Sequence, residues 1–191
     1  MDYGFYALVS RMKNINRWAL MRNSFTENVQ EHSHMTSVLA HALAVIARDV
    51  YGKEADPDKC AAAALFHDAS EIITGDMPTP VKYYSSEITS AYKSVEDIAV
   101  SRLVSALPEE MRPSYSELMN PEGDVKRYVK AADTLSAYIK CLEELKAGNE
   151  EFRRASEQSV RKLEAMEMPE VNYFLENFMP AFMLTLDEIN F

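Results

Sequence analysis

Apolar positions recur every three or four residues along most of the chain, and no stretch alternates polar and apolar residues in strict succession. That is the period of helices, not of strands. Tyr3 to Lys13 carries Phe5, Leu8, Val9 and Met12 at helical spacing. Asn28, followed three residues later by Glu31, fits a capping box and predicts a helix from about Val29 to Tyr51, closed by Gly52. Asp56-Pro57 reads as an N-cap with proline at the first helical position, opening a helix from Asp58 to about Ile73 that stops near Gly75. Pro78 and Pro80 remove backbone donors and restrict their neighbours, so Thr74 to Pro80 is expected to be a structured loop. Ser86 to Leu107 reads as a long helix ended by Pro108, with a short one around Pro113 to Met119. Asp124 to Ala147 reads as a further helix, closed by Gly148. Asn149 to Met166 carries Glu151, Arg154, Glu157, Arg161 and Glu164, the pattern of an exposed amphipathic helix, and Pro169 breaks it. Val171 to Ile189 is apolar and aromatic, with Pro180 expected to kink or split it. The expected fold class is all-α, a compact helical bundle.

Composition narrows the picture. The 191 residues show no repeat, low-complexity tract or linker, so residues 1–191 are expected to form one domain. Five glycines and eight prolines are few for an all-β chain. Twenty basic against thirty acidic residues give a formal charge of −10, which lacks the footprint of a nucleic-acid polymer or anionic-membrane binder. The longest apolar run, Cys60 to Phe66, is too short to span a bilayer, and Met1 to Asn14 has no signal-peptide core. Cys60 and Cys141 make no disulfide framework and are expected as reduced thiols, so a cytoplasmic protein is expected.

Chemistry is concentrated in a few places. His67-Asp68 follows an alanine-rich apolar run, an odd setting for an unpartnered charge. Glu71 lies four residues from His67 and three from Asp68, hence on the same face of that helix. His32 opens the second helix, and Asp133 interrupts another small-residue apolar stretch. His41, within Leu39-Ala40-His41-Ala42-Leu43, reads as a core histidine satisfied by a hydrogen bond, and His34 as the outer neighbour of His32 with no metal role.

The order His32, His67-Asp68, Asp133 resembles the HD-domain metal-dependent phosphohydrolases. The stretches Arg17 to Arg22, Glu27 to Ser33, His67 to Glu71, Thr74 to Tyr83, Lys130 to Asp133 and Lys140 to Leu145 resemble the bacterial 5′-deoxyribonucleotidases of that superfamily. The resemblance implies an all-helical HD domain that hydrolyses deoxyribonucleoside 5′-monophosphates to deoxynucleoside and phosphate. It also implies a homodimer. One divalent metal, held by His32, His67, Asp68 and Asp133, is implied with Co²⁺ or Mn²⁺ foremost and Zn²⁺, Fe²⁺, Ni²⁺ or Cu²⁺ as other candidates. Two imidazoles and two carboxylates suit a six-coordinate cation with open positions better than a closed structural zinc site. Glu71 is expected to handle protons. Arg17 is implied as the phosphate clamp and catalytic cation, with Lys82 and Arg22 as weaker candidates. Trp18, the only tryptophan, is implied to line the sugar pocket and disfavour a 2′-hydroxyl. The implied substrate surface comprises Arg17, Trp18, His32, Asp68, Asp76, Met77, Pro78, Thr79 and Asp133. The alternatives are another HD-superfamily phosphohydrolase, such as a cyclic-dinucleotide phosphodiesterase or dNTP triphosphohydrolase, and a non-catalytic metal-binding helical module.

Overall fold

The computed structural model describes residues 3–189, and these are helical throughout apart from loops and turns. A short first helix, α1 (Phe5–Val9), tightens into a 3₁₀ turn over Ser10–Asn14. An extended loop then leads to α2 (Val29–Val45), which ends in a π-helical turn over Ile46–Val50. Next come α3 (Pro57–Leu65), the single turns α4 (Glu71–Thr74) and α5 (Thr79–Lys82), and the long α6 (Ser86–Ser105). The remainder is α7 (Arg112–Met119), α8 (Gly123–Lys146), α9 (Arg153–Glu164) and α10 (Pro169–Asn177), with 3₁₀ turns at Met179–Met183 and Leu186–Glu188. Among the described residues, β pairing amounts to one isolated antiparallel bridge, Asn16 with Asn28.

Several boundaries follow from the local chemistry. Asn28 accepts from the Glu31 N–H while the Glu31 carboxylate accepts from the Asn28 N–H, so both partners of the capping box are in place. Asp56 caps α3, with Pro57 at its start. Proline acts as a starter elsewhere too: Pro169 breaks the chain after α9 but also begins α10, and Pro80 sits in the first turn of α5. The expected loop over Thr74 to Pro80 therefore ends at Pro78, because a proline in the first turn loses no intrahelical hydrogen bond. The last stretch is less regular than its apolar pattern suggests: α10 stops at Asn177 and Pro180 begins a 3₁₀ turn.

The main correction concerns the helix expected over Asp58 to Ile73. It stops at Leu65, where Phe66 leaves helical geometry (φ −112°, ψ 3°), and helix resumes only at Glu71. Two cores explain the break. Cys60, Ala63 and Ala64 pack with Leu39, Leu43, Leu135, Ile139 and Leu163 between α2, α3, α8 and α9. Ala69, with Phe66 and Ile72 beside it, packs with Phe5, Met12, Leu103, Leu107 and Met119 under α1, α6 and α7. One straight helix cannot point consecutive turns into both cores, so the chain turns at Phe66–Ser70. His67 and Asp68 sit on that turn. Glu71 consequently shares no continuous helical face with them; it opens α4.

His41 is a second correction. It lies on the exposed side of α2, its Nε2 3.8 Å from the solvent-facing Asp58 carboxylate, and is not a core residue. Cys60 and Cys141 are both buried free thiols.

The loop over residues 15–28 is tied down at both ends and in the middle. Arg17 N–H donates to the Glu27 carbonyl at 2.9 Å, and Val29 N–H to that of Ile15 at 2.9 Å. In the middle, the buried pair Lys140–Glu144 on α8 grips the loop backbone: Glu144 accepts the Ser24 N–H, and Lys140 donates to the Phe25 carbonyl at 2.7 Å. Burial alone would push the Glu144 carboxyl up; the Lys140 ammonium 2.5 Å away, the Asn149 amide and the Ser24 N–H outweigh it and bring it down to about 2. A carboxyl depressed in the fold adds stability above its unfolded value and loses it as the pH falls. Unfolding free energy measured against pH should therefore be flat with respect to this group above about 4.5 and decline toward pH 2, an effect on the order of 3 kcal/mol. Urea titrations of Glu144→Gln across that range should show a shallower acid decline than the parent chain.

Candidate metal centre

The turn at Phe66–Ser70 carries His67 and Asp68 to the first turn of α2 and the middle of α8. The His67 Nδ1–H donates to the Ala64 carbonyl at 2.7 Å, which directs Nε2 away from its own helix. His32, fully buried, bonds Ser136 Oγ through Nδ1 at 3.0 Å, so its Nε2 turns the same way. The two rings stand with centroids 5.2 Å apart. Ligating atoms of His32, His67 and Asp68 all lie within 4.8 Å of one another. Asp133 Oδ1 is 3.0 Å from His32 Nε2 and 3.9 Å from His67 Nε2, and Asp68 Oδ2 is 3.6 Å and 3.1 Å from the same two nitrogens. All four residues singled out in sequence therefore converge, from three separate elements. His34 is exposed, outside the cluster.

The donor set fits a divalent cation. His67 Nε2 is buried and satisfies no hydrogen bond despite the nearby carboxylates. An unsatisfied imidazole nitrogen among carboxylate oxygens is costly unless a cation shares the space. Burial keeps His32 below the usual imidazole range, assisted by the Arg17 charge, so its ring is neutral, as a metal ligand must be. Burial also opposes charge on His67, but Asp68 foremost, then Asp133 and the Ala64 carbonyl, override it and raise its pKa to about 9. Asp68 is held well below the carboxylate range and Asp133 is lowered too, burial being outweighed by His67 at Asp68 and by His32 at Asp133.

Three further groups face this cluster. Arg17, with its side chain only 13% exposed, donates from Nη1 to Asp68 Oδ2 at 3.1 Å and from Nε to Glu27 Oε2 at 3.2 Å, and this carboxylate company raises its pKa against burial. Glu71 is half-buried, with Oε2 enclosed and unpartnered; desolvation, then Asp68 and Asp76, push its carboxyl up to about 9. Asp76 is also raised, chiefly by burial, while Arg17 and the Trp18 backbone N–H pull it down. The Trp18 backbone thus lies near Asp76. Met77 and Pro78 continue the half-buried loop, and Thr79 is exposed at the start of α5.

Trp18 is half-buried in the 15–28 loop with a left-handed backbone (φ 60°), rare for a non-glycine residue. Its indole N–H donates to Glu27 Oε2 at 3.0 Å and its ring lies 5.2 Å from Phe152. The weaker cationic candidates are engaged elsewhere: Lys82 donates to Glu96 at 2.8 Å and lies over the Tyr92 ring, and Arg22 projects into solvent near Glu151. Sequence reasoning gave no role to Glu27, whose single oxygen ties both Arg17 and Trp18, or to Ser136, which orients His32. Ser136 lies three residues past Asp133, one turn along the same face of α8, a spacing that marks it in retrospect. Two open hollows flank α7, around Asp97, Val104 and Arg112 and around Lys59, Pro113 and Val125, and neither contains a residue of this cluster.

The 5′-deoxynucleotidase YfbR-like family matches residues 4–182. The 5′-deoxynucleotidase YfbR of Shigella boydii is 49% identical over 189 residues, covering 97% of this chain and 95% of that protein. The protein of the same name from Escherichia coli K12 matches with the same identity and coverage. An HD-domain phosphohydrolase from Listeria innocua superposes with a TM-score of 0.82 at 25% identity, covering 94% of this chain and 88% of its own. A cyanophage S-2L HD phosphohydrolase, solved with dA and one catalytic zinc ion, shares the fold at a TM-score of 0.66 and 18% identity, over 94% and 96% of the two chains. With a family match spanning nearly every described residue and curated relatives at half identity, the chain belongs to the 5′-deoxynucleotidase YfbR-like family of HD-domain phosphohydrolases.

Proposed function

We propose that this protein is a metal-dependent phosphoric monoester hydrolase that converts deoxyribonucleoside 5′-monophosphates to deoxynucleoside and phosphate and discriminates against ribonucleotides. The carrying observation is the convergence of two imidazole Nε2 atoms and two carboxylates on one point, with Arg17 hydrogen-bonded to one of those carboxylates, in a chain half identical to 5′-deoxynucleotidases. His32, His67, Asp68 and Asp133 would hold the cation, Co²⁺ or Mn²⁺ in first place, because mixed nitrogen and oxygen donors with open positions suit such ions. When bound, the cation supplies Lewis acidity toward phosphate and a water acidic enough to attack at neutral pH.

The protein's own groups divide the remaining work. Arg17 carries five N–H donors and spends two on Asp68 and Glu27, which leaves others for two phosphate oxygens. Glu71, with an unpartnered oxygen and a pKa near 9, takes or gives the proton that must move as the ester bond breaks. Trp18 forms an apolar wall against the sugar; a 2′-hydroxyl meeting it would clash and find no partner. Asp76 beside Trp18, with Met77, Pro78 and Thr79, completes the sugar side, and Pro78 and Pro80 limit the freedom of that loop before binding. We further propose that the protein acts as a single domain, as a homodimer and in the cytoplasm. No described helix is long and apolar enough to cross a membrane, and exposed Ile88, Val95 and Ile98 on the outer side of α6 offer apolar surface for self-association.

The deciding experiment is phosphate release from dAMP, AMP, dATP and a cyclic dinucleotide, with Co²⁺ or Mn²⁺ and with chelator. Turnover of dAMP alone, abolished by chelator, is expected; equal or faster release from the triphosphate or the cyclic dinucleotide would move the protein to another HD-type activity. Asp68→Ala should abolish both turnover and metal uptake, the latter read by elemental analysis, while far-UV helicity persists. Glu71→Gln should lower kcat by about 100-fold or more yet keep its metal, and a variant with parental kcat removes Glu71 from proton transfer. Trp18→Ala should let AMP approach dAMP in kcat/KM, a change of about tenfold or more in their ratio; an unchanged ratio takes Trp18 out of the sugar pocket.

A further inference from the structure

Lys140 and Glu144 lie on α8 with 2% and 0% of their surface exposed, yet neither is a metal donor nor in reach of substrate. A buried ion pair is rarely the most stable filling for a helix interface, since apolar side chains of similar volume serve as well or better. What this pair does instead is engage the backbone of the 15–28 loop. Both Glu144 oxygens accept the Ser24 N–H, at 3.1 and 2.9 Å, and Oε2 also accepts from Asn149 Nδ2 at 2.8 Å. The same Asn149 nitrogen donates to the Arg22 carbonyl at 2.6 Å. Lys140 donates to the Phe25 carbonyl and lies 3.5 Å from the centre of the Phe25 ring.

Two routes connect this anchor to Trp18. Asn23, inside the gripped segment, donates to the Trp18 carbonyl at 3.3 Å. Phe152, whose ring centre lies 5.7 Å from the Lys140 ammonium, is the surface against which the indole rests. The left-handed backbone at Trp18 is a conformation that a free loop would leave. The loop is held in it from outside. Asp133, Ser136, Lys140 and Glu144 follow one another at three- and four-residue intervals, along one face of α8. One stiff helix thus carries the Asp133 carboxylate of the cluster and, about 10–16 Å further along, the Lys140–Glu144 anchor of the loop that bears Arg17 and Trp18.

We infer that the Lys140–Glu144 pair is a positioning device for substrate selection, fixing the register of the Arg17–Trp18 loop over the histidine–carboxylate cluster. The inference rests on the reading of Trp18 as the wall of the sugar pocket, but its structural half stands apart from turnover. Trp18 is the only tryptophan, so emission excited on the red side of the tyrosine absorption band reports on this loop alone. Two variants test it in the metal-loaded full chain: Glu144→Gln, and the apolar pair Lys140→Met with Glu144→Leu. The apolar pair leaves no buried ion unpaired, so its fold does not depend on the charge being removed.

Both are expected to keep parental helicity and to bind Mn²⁺ within about twofold of the parent, because all four donors are carried by α2, α8 and the Phe66–Ser70 turn and none by the loop itself. Trp18 emission should shift to the red and its quenching by acrylamide should rise. The dAMP to AMP ratio of kcat/KM should fall by about fivefold or more, with KM for dAMP rising more than kcat falls. A folded apolar-pair variant with parental emission and quenching would overturn the anchoring role. Loosened Trp18 with an unchanged dAMP to AMP ratio would overturn the role in selection. If the parent chain hydrolyses no deoxynucleotide, the proposed activity fails, and the fluorescence result still decides whether the pair sets the loop.

Discussion

Asp68, Asp133 and Glu71 bring three carboxyl groups into one part-buried space, with the Arg17 guanidinium bonded to only one of them. Like charges this close cannot all ionise without compensation. The protein's own side chains settle the conflict in two ways: His67 takes up a proton more readily than an ordinary imidazole, and Glu71 keeps its own until the pH is far above the carboxylate range. A divalent cation answers the same demand with two charges at one point. The electrostatics and the donor geometry are therefore two views of one constraint. The turn at Phe66–Ser70 is what delivers His67 and Asp68 to the buried end of α2.

Much of the fold is written in short-range chemistry. The Asn28–Glu31 box and the Asp56-Pro57 start appear where their residues predict, because a cap is satisfied by atoms three residues away. The turn at Phe66 is different. No glycine or proline marks it, and its cause is long-range: successive residues must enter two separate cores. His41 misleads for a related reason. Its apolar neighbours suggest burial, but α2 presents that position to solvent, and only the packing of α3 and α8 decides which side that is. The residues of the cluster were legible through an ordered set of motifs. The roles of Glu27, Lys140 and Glu144 inside those motifs were not, because they depend on a loop conformation that no periodicity encodes.

A net charge of −10 and an anionic substrate would seem ill matched. Salt screens exposed charges beyond about 10 Å, so the distant acidic surface matters less than the groups lining the site. There the proposed phosphate clamp is a guanidinium whose side chain is 13% exposed, where screening is weak. Two carboxylates, Asp68 and Glu27, orient it without using all its donors. Lys82 and Arg22 contribute little to such a field, the first being paired with Glu96 and the second surrounded by water.

Selectivity between deoxyribose and ribose depends on one hydroxyl, and a wall that excludes it must hold its position to within a fraction of an ångström. A loop is a poor support for such a wall unless its backbone is bonded to something stiffer. Here the supports are of two kinds. Glu27 fixes the Trp18 indole from within the loop, while Glu144, Lys140 and Asn149 fix the loop backbone from outside. The outer supports are charged and buried, a combination whose strength comes from charge-assisted bonds in a medium with little water. Neutral partners at the same positions could fill the space, but they would grip the Ser24 N–H and the Phe25 carbonyl more weakly. The strained backbone at Trp18 would then relax, carrying the indole with it. On this proposal, the stability that an apolar pair could have offered to α8 is exchanged for a fixed distance between the proposed Trp18 wall and the Asp133 carboxylate, which lies about two to three turns from the pair along that helix.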